Sequence, residues 1–137
     1  MTKHFTLKEL TKSSTAKRNN IDNTPNEVKL LNLKYMAEQL EIVRKKYGKP
    51  MYISSGYRSK ELNRLVGGSK SSYHLLGLAV DIDNGSKELN RELFDIVLSN
   101  INELPIDELI NEFDYDWLHI SFTPKNCKSK RQIKNIK

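Results

Sequence analysis

The sequence predicts an α+β fold, and three observations carry that prediction. Short β-prone runs are interspersed with stretches of helical periodicity. Capping residues stand directly ahead of those periodic stretches. The chain has 137 residues, 37% of them apolar and 29% charged; this suits one hydrophobic core, leaves little room for a second domain and is too apolar for a disordered chain.

The elements follow in order. Phe5, Leu7 and Leu10 read as the packing face of a short opening helix or turn, and the polar stretch Thr11 to Asn23 as a surface loop. Thr24-Pro25-Asn26-Glu27 is a helix start: Thr24 can cap, Pro25 fits the first helical position and Glu27 completes a capping box. Val28, Leu31, Tyr35, Leu40, Val43 and Tyr47 then form an apolar stripe that ends at Gly48. Met51 to Ser55, launched by Pro50, reads as a strand. Ser59 can cap a two-turn helix over Lys60 to Val66 that Gly67-Gly68 ends. Leu78 to Ile82 alternates as a half-buried strand, and Ser86 caps a helix whose face is Leu89, Leu93, Ile96, Val97 and Ile101. Trp117 to Phe122 alternates as a further strand. Patterning leaves the strand order open.

Composition excludes several function classes. No run approaches the roughly 20 apolar residues of a membrane span. The opening residues lack the apolar core of a secretory signal, so synthesis in a cytosol is expected. Cys127 is the only cysteine; it can form neither an internal disulfide nor a thiolate zinc cluster, so a metal site must use His and carboxylates. The net charge is +6, all of it contributed by Lys125, Lys128, Lys130, Arg131, Lys134 and Lys137. Residues 1–124 are therefore a neutral body and 125–137 a basic tail, which does not suit specific nucleic-acid binding. The plain reading of the tail is a solvated, poorly ordered end; the functional one is attraction to a polyanion, weakened by salt. From Glu92 to Pro124 there are eight acids and no Lys or Arg, which can be solvated surface or the surroundings of a cation.

Three residues stand out for chemistry. On the Leu78–Ile82 strand, period two sets Asp81 opposite Val80 and Ile82; on the last strand it sets His119 opposite Leu118 and Ile120. If both apolar faces share one core, Asp81 and His119 emerge together, and His74 leads into the first of the two strands. Three protein ligands plus an open position is the arrangement of catalytic zinc. The alternative is an acid that flanks a turn beside a half-buried polar histidine. His4, near the terminus, takes no role. A base is sought among Asp116, Asp114 and Glu112; on a continuous strand Asp116 points away from His119, unless the chain turns near Tyr115–Trp117. Arg58 is either an anion clamp or a surface residue, and Trp117 either a cleft wall or core.

Ser72-Tyr73-His74-Leu75-Leu76-Gly77-Leu78-Ala79-Val80-Asp81, with Ser55-Gly56-Tyr57-Arg58-Ser59 upstream and Asp116-Trp117-Leu118-His119 downstream, resembles the M15 family of zinc peptidases from about His4 to Phe122. The resemblance implies a single domain with a small antiparallel sheet and flanking helices, of the D-Ala-D-Ala peptidase and hedgehog-like kind. It implies zinc held by His74, Asp81 and His119, Asp116 as general base with Glu112 in reserve, and Arg58 on the oxyanion. It also implies substrate contacts from Arg58, Ser72 and Tyr73, although many small members carry Gln at the position of Tyr73.

The activity so implied is hydrolysis of peptide bonds in bacterial peptidoglycan stem peptides by a monomeric phage endolysin or virion-associated lysin. Such an enzyme is made in the cytoplasm and acts on the wall after release. The alternative is a catalytically inactive, zinc-containing module that only grips cell-wall peptide.

Overall fold

A computed structural model describes the whole chain, Met1–Lys137. Its helices are α1 (Leu7–Thr11), α2 (Ser14–Arg18), α3 (Glu27–Tyr47), α4 (Lys60–Leu65) and α5 (Lys87–Ser99). Its strands are β1 (Ile53–Ser55), β2 (Ala79–Ile82), β3 (Ile106–Glu112), β4 (Trp117–Phe122) and β5 (Gln132–Ile136). Two 3₁₀ turns, Tyr73–Leu76 and Ile101–Glu103, complete the chain. The strands form one sheet in the order β1-β2-β4-β3-β5, with every pair antiparallel except β3 and β5, which run parallel. The α+β class holds, with a mixed edge on the otherwise antiparallel sheet. No helix is long and apolar enough to cross a membrane.

The long helix differs from expectation in cap and stripe. Asn26, a stronger N-cap than Thr24, accepts a bond from the Lys29 amide, so α3 begins at Glu27. The buried face is Leu33, Met36, Ala37, Leu40, Val43 and Tyr47, whereas Val28 and Leu31 are 67% and 69% exposed. Two apolar stripes overlap at the start of this helix, and only one can face the sheet; the buried one keeps helical spacing from Leu33 to Tyr47. Gly48 ends the helix with φ of 78°, as its lack of a side chain allows. Within the stretch expected as loop, Ser13 caps the short α2, which buries only Ala16 and so leaves no periodic signature.

Two strands were hidden from pattern reasoning. Four of the seven residues of β3 are polar: Asp107, Glu108, Asn111 and Glu112. Asp107 and Asn111 are nevertheless buried because their side chains are bonded. Asp107 accepts from the Tyr73 hydroxyl at 2.7 Å, the Thr123 hydroxyl at 2.8 Å and the Lys130 amide at 2.9 Å. Asn111 accepts from the Tyr115 amide at 2.6 Å and donates to Asn135 at 3.1 Å. The basic tail is not a loose end, because β3 offers it an open edge to pair with. All of β5 is exposed, so its cations remain solvated while its backbone joins the sheet. Arg131 Nε donates to the Ile101 carbonyl at 3.0 Å and Lys134 meets Glu108 at 2.6 Å.

The two faces of the sheet have different fates. Val80, Ile82, Leu109, Leu118, Ile120 and Phe122 join Phe5, Leu10 and the apolar sides of α3 and α5 in one buried core. The other face carries Asp81, His119, Trp117, Ile110 and Glu112, and is the one that remains free for chemistry. The N-terminus is tied down, since the His4 amide and ring both bond Glu41.

Deleting residues 130–137 should lower unfolding free energy by about 1–3 kcal/mol, because the buried Asp107 carboxylate loses a donor and β3 becomes an edge. Urea denaturation measures this; a tail free of the fold would leave the midpoint unchanged.

Candidate metal centre

The centre arises from a register match. Asp81 and His119 are direct partners across β2 and β4, so both side chains leave the sheet on the same face. His74 comes from the 3₁₀ turn that feeds β2, where the Ser72 hydroxyl accepts from the His74 amide and Gly77, at φ of 76°, turns the chain into the strand. A side chain at Gly77 would press on Leu33 and on the Lys29 carbonyl of α3, so the turn lies tight against the long helix.

The side chains converge. Asp81 Oδ1 lies 3.0 Å from His119 Nδ1 and 3.3 Å from His74 Nε2, and Asp81 Oδ2 lies 3.5 Å from an Arg58 guanidinium nitrogen. The histidine and aspartate ligand atoms all lie within 4.8 Å of one another. The other nitrogen of His74, Nδ1, is 2.7 Å from the Gly56 carbonyl, which makes it the N–H donor; Nε2 then faces the cluster, with a lone pair in the neutral ring and as an N–H donor to Asp81 in the imidazolium. Two imidazoles and a carboxylate aimed at one point form a donor set suited to a metal ion with borderline-soft preferences, so His74, Asp81 and His119 could bind a metal. Burial pushes the Asp81 carboxyl up, but the bonds from His119 and His74 outweigh it and hold the group well below the usual carboxylate range.

Arg58 is held from several directions. Its Nε donates to Ser55 Oγ at 3.3 Å, one terminal nitrogen donates to Asn63 Oδ1 at 3.3 Å, and its backbone amide donates to the His74 carbonyl at 3.0 Å. Buried Asn63 also donates to the Ser69 carbonyl at 2.9 Å, joining α4 to the loop that carries Ser72 and Tyr73. Asn63 was not among the sequence-derived candidates; its signal is its place one helical turn beyond the Ser59 cap, facing back toward Arg58. Asp107 was missed for the reason given above, and the Gly56 carbonyl is a backbone group that no side-chain pattern reveals.

The two base candidates part company. Phe113, Asp114 and Tyr115 all have positive φ, of 51°, 55° and 65°, and this turn precedes β4. Lys87 Nζ donates to the carbonyls of Phe113 and Asp114, and Asn90 Nδ2 to those of Tyr115 and Asp116. Asp116 is drawn to the same lysine at 3.2 Å, with its side chain 56% exposed. Glu112 is the register partner of Trp117, hence on the face of His119, and its Oε2 accepts from the Trp117 indole at 2.9 Å. Ser72 and Tyr73 border a groove that reaches His119. The Tyr73 phenol, bonded to Asp107, is pushed up to about 12.

The depressed Asp81 pKa carries a signed pH effect for the metal-free protein. Its stabilisation is present above the unfolded value near 3.8 and is lost as pH falls through the lower native value. Urea midpoints taken from about pH 6 to about pH 2 should therefore fall less steeply for Asp81→Asn than for wild type. Equal slopes would remove the ion-pair reading. Gly56→Ala should cost about 1–3 kcal/mol, because the added Cβ collides with the Leu10 carbonyl. It should also weaken metal binding about 10–100-fold through His74, read by metal titration.

The family model described as Peptidase M15 matches residues 3–121 and so spans Arg58, His74, Asp81, Glu112, Asp116 and His119. No curated protein matches the chain. The match covers most of the sequence and agrees with a His-Asp-His cluster built on two adjacent strands and the turn that feeds one of them: the chain belongs to the peptidase M15 family, a family of metallopeptidases.

Proposed function

We propose that this protein is a zinc-dependent peptidase that hydrolyses peptide bonds in bacterial peptidoglycan stem peptides, as a phage endolysin or virion-associated lysin acting as a monomer. The observation that carries the reading is the convergence of His74, Asp81 and His119 beside a fixed Arg58, with Glu112 on the same sheet face. Zinc held by the three ligands would supply a Lewis acid that acidifies water and polarises the scissile carbonyl.

The rest is done by the chain's own groups. Arg58, braced by Ser55 and Asn63, presents a cation to the charge that develops on the carbonyl oxygen, and cannot swing away without losing both bonds. Glu112 takes a proton from the attacking water and returns it to the leaving amine. It is a diagonal neighbour of His119 across β3 and β4, about 7–8 Å away by sheet geometry, a span that its side chain and one water can bridge. The Trp117 indole holds one oxygen of Glu112 and leaves the other for the proton. Asp116, the acid expected from the D-x-x-H spacing, would have to leave Lys87 to serve.

A binding-only module is the second reading; the retained carboxylate on the metal face and the braced Arg58 favour turnover instead, since gripping a peptide requires no base.

Digestion of purified peptidoglycan with products read by mass spectrometry tests the proposal. New peptide termini should appear with zinc-loaded protein and vanish with a chelator. Glu112→Gln should lower the rate about 10²–10⁴-fold and Arg58→Ala about 10²–10³-fold, whereas Asp116→Asn should change it only a few-fold. Loss in Asp116→Asn with survival of Glu112→Gln would return the base to Asp116. Zinc binding with no cleavage would leave the binding module.

A further inference from the structure

The open face of the sheet continues past the metal centre. Asp81, His119, Ile110 and Lys134 form one row across β2, β4, β3 and β5, each the register partner of the next. Strands lie about 4.8 Å apart, so Lys134 stands about 10 Å from His119 along that row. A groove of about 540 Å³ follows the same line, bounded by His119, Tyr73, Ile110, Gln132, Lys130 and Lys134.

The charges in this groove are unequally committed. Asp107 lies at its edge, but its carboxylate is buried and already accepts three hydrogen bonds. Glu108 is engaged with Lys134 at 2.6 Å. The Lys130 ammonium has no ion-pair partner, while its backbone amide is fixed to Asp107, the same carboxylate that holds Tyr73 across the groove. The two sides therefore keep their spacing, and the Lys130 ammonium, which Asp107 balances only through space, stays on the groove wall without a direct ion-pair partner.

We propose that this groove receives an extended peptide segment with a free carboxylate about three residues from the scissile bond, given about 3.3 Å per residue, and that Lys130 and Lys134 bind that carboxylate. The proposal rests on the peptidase reading above and names the substrate feature that the site selects. Glu108 is the resident counter-ion of Lys134 and competes with the incoming group. The carboxylate can belong to a side chain or to a chain end, and the chemistry of recognition is the same for both.

The test uses full-length zinc-loaded protein and three stem-peptide probes: one with all carboxylates free, one with side-chain carboxylates amidated, and one with only the terminal carboxylate amidated. Binding is measured calorimetrically with Glu112→Gln protein, and hydrolysis with protein whose Glu112 is intact. The free peptide should bind about tenfold more tightly than one of the two amidated forms, and that form identifies the source of the carboxylate. Lys130→Gln should erase this preference and place its loss on KM rather than kcat. Glu108→Gln, which frees Lys134, should enlarge the preference; a merely structural role for this edge would not give opposite signs. Equal binding of all three probes, or equal weakening of all three by Lys130→Gln, overturns the groove assignment, whether or not the peptides are cut. Preferential binding without any cleavage keeps the assignment and removes the peptidase reading.

Discussion

The carboxylate of Asp81 is the point on which the arrangement depends. One of its oxygens serves two imidazoles and the other faces a guanidinium, in a position that is largely shielded from water. Each of the four side chains comes from a different segment: β2, β4, the 3₁₀ turn, and the loop after β1. A buried anion is costly unless its partners are held in place, so the local structures that hold them are part of the same constraint. Ser72 caps the turn bearing His74, Gly56 supplies the carbonyl that fixes its tautomer, and Asn63 and Ser55 brace Arg58. The lack of a Cβ at Gly56 is what lets that carbonyl approach while its own chain lies against Leu10.

Much of this was legible because period-two alternation has a physical cause. Once the apolar residues of Leu78–Ile82 and Trp117–Phe122 are assigned to one core, Asp81 and His119 must share the other face, whatever the strand order. The observed register makes them direct partners. Caps at Ser59 and Ser86 were legible for a similar reason, since a short hydroxyl ahead of a periodic run satisfies free helical amides. The displaced stripe on α3 shows the limit of such reasoning. Leu31 and Leu33 are equally apolar, and which of them faces inward is decided by the sheet the helix packs on.

The strand β3 could not be read because its polar residues are satisfied by groups distant in sequence. Asp107 finds Tyr73, Thr123 and Lys130, each of which is silent about the others until the chain has folded. The same holds for the placement of Asp116. Its spacing to His119 suits a base, but three successive left-handed residues and the reach of Lys87 from α5 set its direction. Left-handed conformations at Phe113 and Tyr115 cost free energy, and the bonds donated to this turn by Lys87 and Asn90, with the one that Asn111 accepts from the Tyr115 amide, offset that cost. The turn that takes Asp116 away thereby leaves the end of β3, and Glu112 with it, on the sheet face of the His-Asp-His cluster.

The basic end of the chain gains a different meaning from the same geometry. Clustered lysines read from sequence alone suggest a tether to any polyanion, because charge counts carry no position. Once β5 pairs in parallel with β3, its alternation distributes those charges: Gln132 and Lys134 turn to the open face, whereas Ile133 lies on the other. Arg131 is used to fasten the strand to the turn after α5, and Lys134 is partly neutralised by Glu108. What remains is one ammonium, that of Lys130, without a direct ion-pair partner on the wall of a groove that reaches His119. A cation fixed in that place discriminates between neighbouring peptide positions, whereas a mobile tail would only raise the local concentration of anions.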